Sequence, residues 1–195
     1  MNKKKIIQIG IIIFVIVFVA ICIAIVQFSK KDLEEAKKGL EETQKKYGWV
    51  EKENIDVLVA KFNTQVMDND SSSLNPASTD YLTESNNEYW YGLIEGVYLV
   101  VVPEKYTGDK TTEIVNYTLL YVDKTSKYES DAISYIKHLI KANNSEITDS
   151  EIDKLLEDAK TKTNSGKTAN NGKGISIGYT ENNEAYQYQV LRLYK

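Results

Sequence analysis

Residues 164–168, Asn-Ser-Gly-Lys-Thr, carry the fragment with the plainest chemical potential in the chain: a Gly-Lys-Thr triplet of the kind that closes a phosphate-cradling loop. Such a loop reads G-x-x-x-x-G-K-[ST]. It leaves a strand and opens a helix, so that backbone N–H groups converge on phosphate at the helix N-terminus. Here Thr161 stands where the first glycine belongs, and the residues before it have helical periodicity. Ala169-Asn-Asn-Gly-Lys-Gly174 follows, too rich in turn formers to begin a helix. The run reads as a loop into the last strands, and no nucleotide or other cofactor is expected.

Other chemistry is equally thin. His138 is the one histidine and Cys22 the one cysteine, so neither has a like partner for a metal site or a nucleophile–base pair. Asp68 and Asp70 lack the glycine and distal glutamate of a calcium loop. Asp149-x-Glu151-x-Asp153 has Lys154 where that loop needs its turn glycine, and reads as a helix start with acids matched to the dipole. No G-x-S-x-G elbow occurs. No metal ligand and no catalytic residue is assigned, and a non-enzyme is expected. The alternatives are an envelope hydrolase with carboxylates gathered from loops and a structural subunit of a membrane assembly.

Tyrosine is the unusual residue, 14 against 4 phenylalanines and 2 tryptophans. Tyr89 and Tyr91, Tyr117 and Tyr121, and Tyr186 and Tyr188 each fall at even spacing, which puts each pair on one strand face. An amphipathic ring suits the half-wet face of a sheet, and it also suits a binding surface. If the sheet binds a partner, the expected face comprises Tyr89, Trp90, Tyr91, Tyr186 and Tyr188.

The elements that must position these residues begin with an anchor. A five-residue basic tail, MNKKK, precedes Ile6–Phe28, a run without a charge and long enough to cross a bilayer core. It exceeds a signal-peptide core and no A-x-A-like site follows. Cys22 is preceded by Ile21, not the small residue of a lipoprotein signal, and reads as lipid-facing. The expected arrangement is a single-pass signal anchor with the N-terminus inside, although Lys30, Lys31, Lys37 and Lys38 weigh the other way. Residues 29–48 read as a charged helical stalk. Leu33, Ala36, Leu40, Thr43 and Tyr47 make a short apolar seam, allowing weak self-association through Leu33, Leu40 and Tyr47. The chain holds 24 basic and 28 acidic residues, and three of the basic ones lie in the tail, so the polar part is acidic and offers nothing to nucleic acid.

Residues 49–195 read as one extracytoplasmic α+β domain, a largely antiparallel sheet packed by about three helices. Asn54 caps a helix with Ile55, Leu58, Val59, Phe62 and Val66 on one face, and 67–78 reads as a loop. Strands are expected at 88–94 and 97–104 around a Glu95-Gly96 turn, and at 113–123. Ser126-x-x-Glu129 and Thr148-x-x-Glu151 read as capping boxes opening two helices, followed by a hairpin over 174–194.

The stretch from Tyr89 to Tyr194, with IKHLIKANNSEITDSEIDKLLEDA followed by GISIGY, resembles small membrane-anchored or lipoprotein-type domains of Gram-positive bacteria. That resemblance implies a cell-envelope location and no activity. A span running into a helical stalk and a β-rich domain is also similar in outline to type IV pilins, whose processing site is missing from MNKKKIIQIG. It is similar too to anchored NTF2-like domains, whose strands mostly follow their helices. The function expected is a membrane-anchored module that binds a protein or an envelope component.

Overall fold

The computed structural model describes residues 34, 35, 37–42, 46, 48–68 and 74–194. The chain divides into two compact units, Met1–Gln44 and Lys45–Lys195. In the first unit residues 34, 35 and 37–42 are helical and exposed, Leu40 included. The expected basic tail, the span Ile6–Phe28 with Cys22, the seam residues Leu33, Ala36, Thr43 and Tyr47, and Asp70 lie outside the described residues. Among the described residues no helix is long and apolar enough to cross a membrane.

The second unit is α+β. Helix α1 (Ile55–Asp68) precedes a 3-10 turn (Thr79–Tyr81). Strands β1 (Leu82–Ser85), β2 (Glu88–Ile94), β3 (Val97–Pro103) and β4 (Val115–Asp123) follow. Helices α2 (Glu129–Asn143) and α3 (Asp149–Thr161) come next, then β5 (Ala169–Asn170), β6 (Ile175–Glu181) and β7 (Ala185–Arg192). The seven strands form one sheet in the order β1-β2-β3-β4-β7-β6-β5, every pairing antiparallel.

Local chemistry explains most boundaries. Asn54 Oδ1 accepts the Val57 amide at 2.9 Å, capping α1. Glu95-Gly96 makes the expected two-residue turn, with Gly96 at φ +78. Thr148 and Glu151 form the full capping box of α3. The other expected box does not form. Helix α2 starts at Glu129 behind Tyr128, which makes no side-chain cap bond. Ser126 Oγ instead donates to the Glu95 carbonyl at 2.6 Å and accepts the Tyr128 amide, so it clips the β2–β3 turn to the chain leading into α2.

Helices α1, α2 and α3 lie against one face of the sheet. Ile55, Leu58, Phe62 and Val66 of α1, Tyr135, Ile136, Leu139 and Ile140 of α2, and Ile152, Leu155 and Leu156 of α3 join one core. The sheet contributes the alternate residues Tyr89, Tyr91, Leu93, then Val97, Leu99, Val101, then Leu120, Val122, then Tyr186, Tyr188, Val190. The register places these side by side: Tyr91 opposite Leu99, Leu99 opposite Leu120, Leu120 opposite Tyr188. The odd-numbered residues of β2 and β3 and the even-numbered residues of β4 and β7 therefore share a face, and the residues between them point away from α1, α2 and α3.

Candidate functional site

Four of the five residues expected on a partner face are core. Tyr89 and Tyr188 are 0% exposed, Tyr91 is 1% and Tyr186 is 6%. The pairs Tyr89–Tyr91 and Tyr186–Tyr188 each share the face beneath the helices, whereas Tyr117 and Tyr121 share the opposite one. Trp90 lies between Tyr89 and Tyr91, so the strand pleat turns it to the opposite side. Buried rings cannot present themselves to a partner, and the expected set divides accordingly.

The buried tyrosines have structural partners. Tyr89 Oη donates to Glu113 at 2.6 Å, and Glu113 is itself buried and takes the amides of Thr107 and Gly108. Burial would raise the Glu113 pKa, yet the bonds from Tyr89, Thr107 and Gly108 outweigh it and hold the carboxyl below its ordinary range. Burial and the Glu113 carboxylate both push the Tyr89 phenol up. Tyr135, pushed up to about 12 chiefly by burial, donates to the Asn75 carbonyl and accepts its amide. That exchange pins the loop after α1 to α2.

The open face of the sheet carries a second aromatic group. Trp90 on β2, Tyr98 on β3 and Tyr121 on β4 form a triangle with ring centroids 5.8–6.2 Å apart and planes tilted by 58–64°. Tyr98 stands opposite Tyr121, and Trp90 stands opposite Val100, next along β3. The indole therefore leans across β3 toward Tyr121. Glu88 holds it there, accepting from Nε1 at 3.0 Å. Beneath these rings Val100 is 0% exposed and Leu119 is 9%, although neither belongs to the helix-covered core. The rings cover that aliphatic layer and leave their outer sides to solvent: Tyr98 is 37% exposed, Trp90 and Tyr121 half-buried.

Beside Tyr121 the surface dips into a depression of about 300 Å³. Its lining is Asn164, Thr180, Glu181, Asn182 and Gln187 with Tyr121, Ala185 and Tyr186. Asn164 belongs to the fragment that opened the sequence reading. Its φ of +56 and its bonds to Glu181, whose carbonyl it donates to and whose amide it accepts, lock the α3–β5 loop onto β6. The fragment thus lies at a loop followed by the short strand β5, and no helix follows it.

A larger cleft of about 650 Å³ opens where Trp49–Glu53 pass α1 and the end of α2. Arg192, its side chain 2% exposed, closes that cleft, donating to Glu53 at 2.5 Å, Asn143 at 3.1 Å and the Glu51 carbonyl at 3.1 Å. The lysines around it are committed: Lys52 to Glu104, Lys61 to Glu53, Lys141 to Asp149. Arg192 and these lysines are thus paired with carboxylates.

His138 is 8% exposed and its Nδ1 is buried without a hydrogen-bond partner. Among the described residues no group of three or more His, Cys, Asp or Glu could hold a metal ion. Sequence reasoning passed over Tyr98 as a partner of Trp90. The alternation was visible, but only the strand register brings β2, β3 and β4 residues into one triangle. No family model matches the chain, and no curated protein or solved structure shows significant similarity to it.

Proposed function

We propose that this chain is a membrane-tethered, non-enzymatic binding module of the cell envelope, and that it takes its partner on the open face of the sheet. The tether is the apolar run Ile6–Phe28, and the N-inside orientation follows from the basic tail before it. The observation that carries the reading is the Trp90–Tyr98–Tyr121 triangle on the face that no helix covers. Trp and Tyr bring large contact area, and rigid sheet positions present it without ordering cost. Three strands hold the rings, and Glu88 fixes the indole.

A photo-crosslinking residue at Tyr98 in the full-length chain, in native membranes, tests this. A discrete adduct is expected from Tyr98 and none from Met67, which is exposed but belongs to α1. No adduct at Tyr98, or the same adducts from both sites, would reject the open face as the binding face.

A further inference from the structure

We infer that the ligand of the open face is an uncharged sugar chain. This rests on the open face being the binding face, and it follows from what that face offers and what it lacks.

The rings come first. Aromatic faces carry a negative quadrupole, and the C–H groups on one side of a pyranose are weakly positive and apolar, so a sugar ring laid on Trp90 or Tyr98 is attracted through dispersion and weak C–H contacts. Hydrogen-bonding capacity comes second. A sugar hydroxyl both donates and accepts, and it is best met by groups that do the same: amides and hydroxyls. The residues running from the triangle across β7 to β6 are of that kind, Tyr117, Tyr121, Gln187, Gln189 and Thr180. The 300 Å³ depression beside Tyr121 adds Asn164 and Asn182 and lies at the small end of ligand pockets, wide enough for one sugar unit.

Charge comes third. The polar part of the chain is acidic, yet the centre of this face bears no ionised side chain. The acids at its margin are engaged: Glu88 by the indole of Trp90, Glu181 by Lys124 at 2.5 Å, Asp123 by Thr125. An anionic polymer would find no cation to pair with there and would meet the carboxylates of Glu88 and Asp123 at the margin. A protein partner would use Trp and Tyr anchors too, and the crosslinking result separates that outcome. The large apolar side chains exposed among the described residues are Leu40, Val57, Met67, Tyr81 and Tyr98, of which Tyr98 lies on the open face and Tyr81 at its edge, against Gly92. The aliphatic residues Val100 and Leu119 are already sealed. A neutral, amphipathic, hydroxyl-rich chain fits a surface of rings and amides.

The test uses the full-length chain in detergent micelles, titrated calorimetrically with chitohexaose, cellohexaose and maltohexaose, and with oligogalacturonate as the charged control. At least one neutral hexasaccharide is expected to bind and the oligogalacturonate is not. Tyr98→Ala and Gln187→Ala are each expected to weaken binding by roughly tenfold, the scale of about 1.4 kcal/mol. Both side chains reach solvent, so their loss leaves the fold intact. Trp90→Ala would uncover Val100 and Leu119, so Trp90→Phe is the variant to use at that position, with a smaller loss expected. Binding of none of the three hexasaccharides, or binding that Tyr98→Ala and Gln187→Ala leave unchanged, overturns the inference. A protein adduct from Tyr98 crosslinking together with no sugar binding would retain the open face and reject the sugar. Sugar binding that depends on Tyr98 supports both.

Discussion

Arg192 and Glu53 form the most buried ion pair among the described residues, and their two truncations are not equivalent. Glu53 is shared between Arg192 and Lys61, whereas Arg192 has no second carboxylate. Glu53→Ala leaves a buried guanidinium with an amide and a carbonyl only, and should cost about 3–5 kcal/mol. Arg192→Met leaves Glu53 with Lys61, and should cost clearly less in the same urea titration. His138 supplies the pH dependence. Burial, and then the Lys141 charge, hold its pKa below the ordinary value near 6.5, with Asp149 opposing. The unfolded chain therefore takes up the proton first, and stability falls as pH drops below about 6.5. Asp149 and Glu151 also have lowered pKa values, Asp149 chiefly through its bond from Lys141 and Glu151, at about 2, chiefly through the Thr148 amide. Their contribution is lost only below the ordinary carboxylate range, so the two windows are separate. In His138→Gln the decline of the urea midpoint between pH 7.5 and 5 should flatten, and an unchanged decline would assign it elsewhere. At this scale the sequence was legible in part. Even spacing correctly put Tyr89 with Tyr91 and Tyr186 with Tyr188. It could not say which side the helices would cover, and Trp90, next in sequence to both Tyr89 and Tyr91, necessarily points away from them.

Two glycines separate backbone conformation from packing. Gly166 and Gly174 both have positive φ, +69 and +79. A Cβ at Gly166 meets nothing within 4 Å, while at Gly174 it would stand 2.3 Å from the Trp49 carbonyl carbon. Gly166→Ala should cost about 1–2 kcal/mol, the left-handed penalty alone. Gly174→Ala should cost more, because the chain at Trp49 must move, and calorimetric melting of the pair measures the difference. Elements with strong signals were readable: both hairpin arms around Glu95-Gly96, the Thr148 box, the apolar stripes of α2 and α3. Strand β1 was not. Leu82-Thr-Glu-Ser is an exposed edge, half-buried only at Leu82, so it has no alternation to betray it. Its signal lies in the turn, where Asn86 and Asn87 both adopt positive φ, +53 and +63, as a two-residue hairpin loop requires. The Ser126 box failed for a different reason. The Ser126 hydroxyl oxygen accepts the Tyr128 amide instead, while the tertiary fold brings up the Glu95 carbonyl to accept its hydrogen bond.

For the molecule as a whole, antiparallel order and helices on one side follow from the alternation of strands and amphipathic helices, and the α+β class was legible for that reason. The pairing of β4 with β7 was not, because it joins segments separated by both α2 and α3. The tethered arrangement makes its own prediction. Protease added to intact cells should remove the domain beyond Lys45, and resistance until lysis would reverse the orientation. The bond from the Val50 amide to the Leu193 carbonyl, with its parallel bridge from Val50 to Tyr194, has a mechanical meaning. Tension along the proposed tether would reach the domain over Gly48–Val50, which packs on Gly172–Gly174 and bonds the end of β7. From there it crosses β4 and β3 to the ring triangle, through hydrogen bonds loaded together across the sheet. A ligand gripped at Trp90 and Tyr98 would then pull against the middle of the sheet, leaving the frayable edges β1 and β5 unloaded.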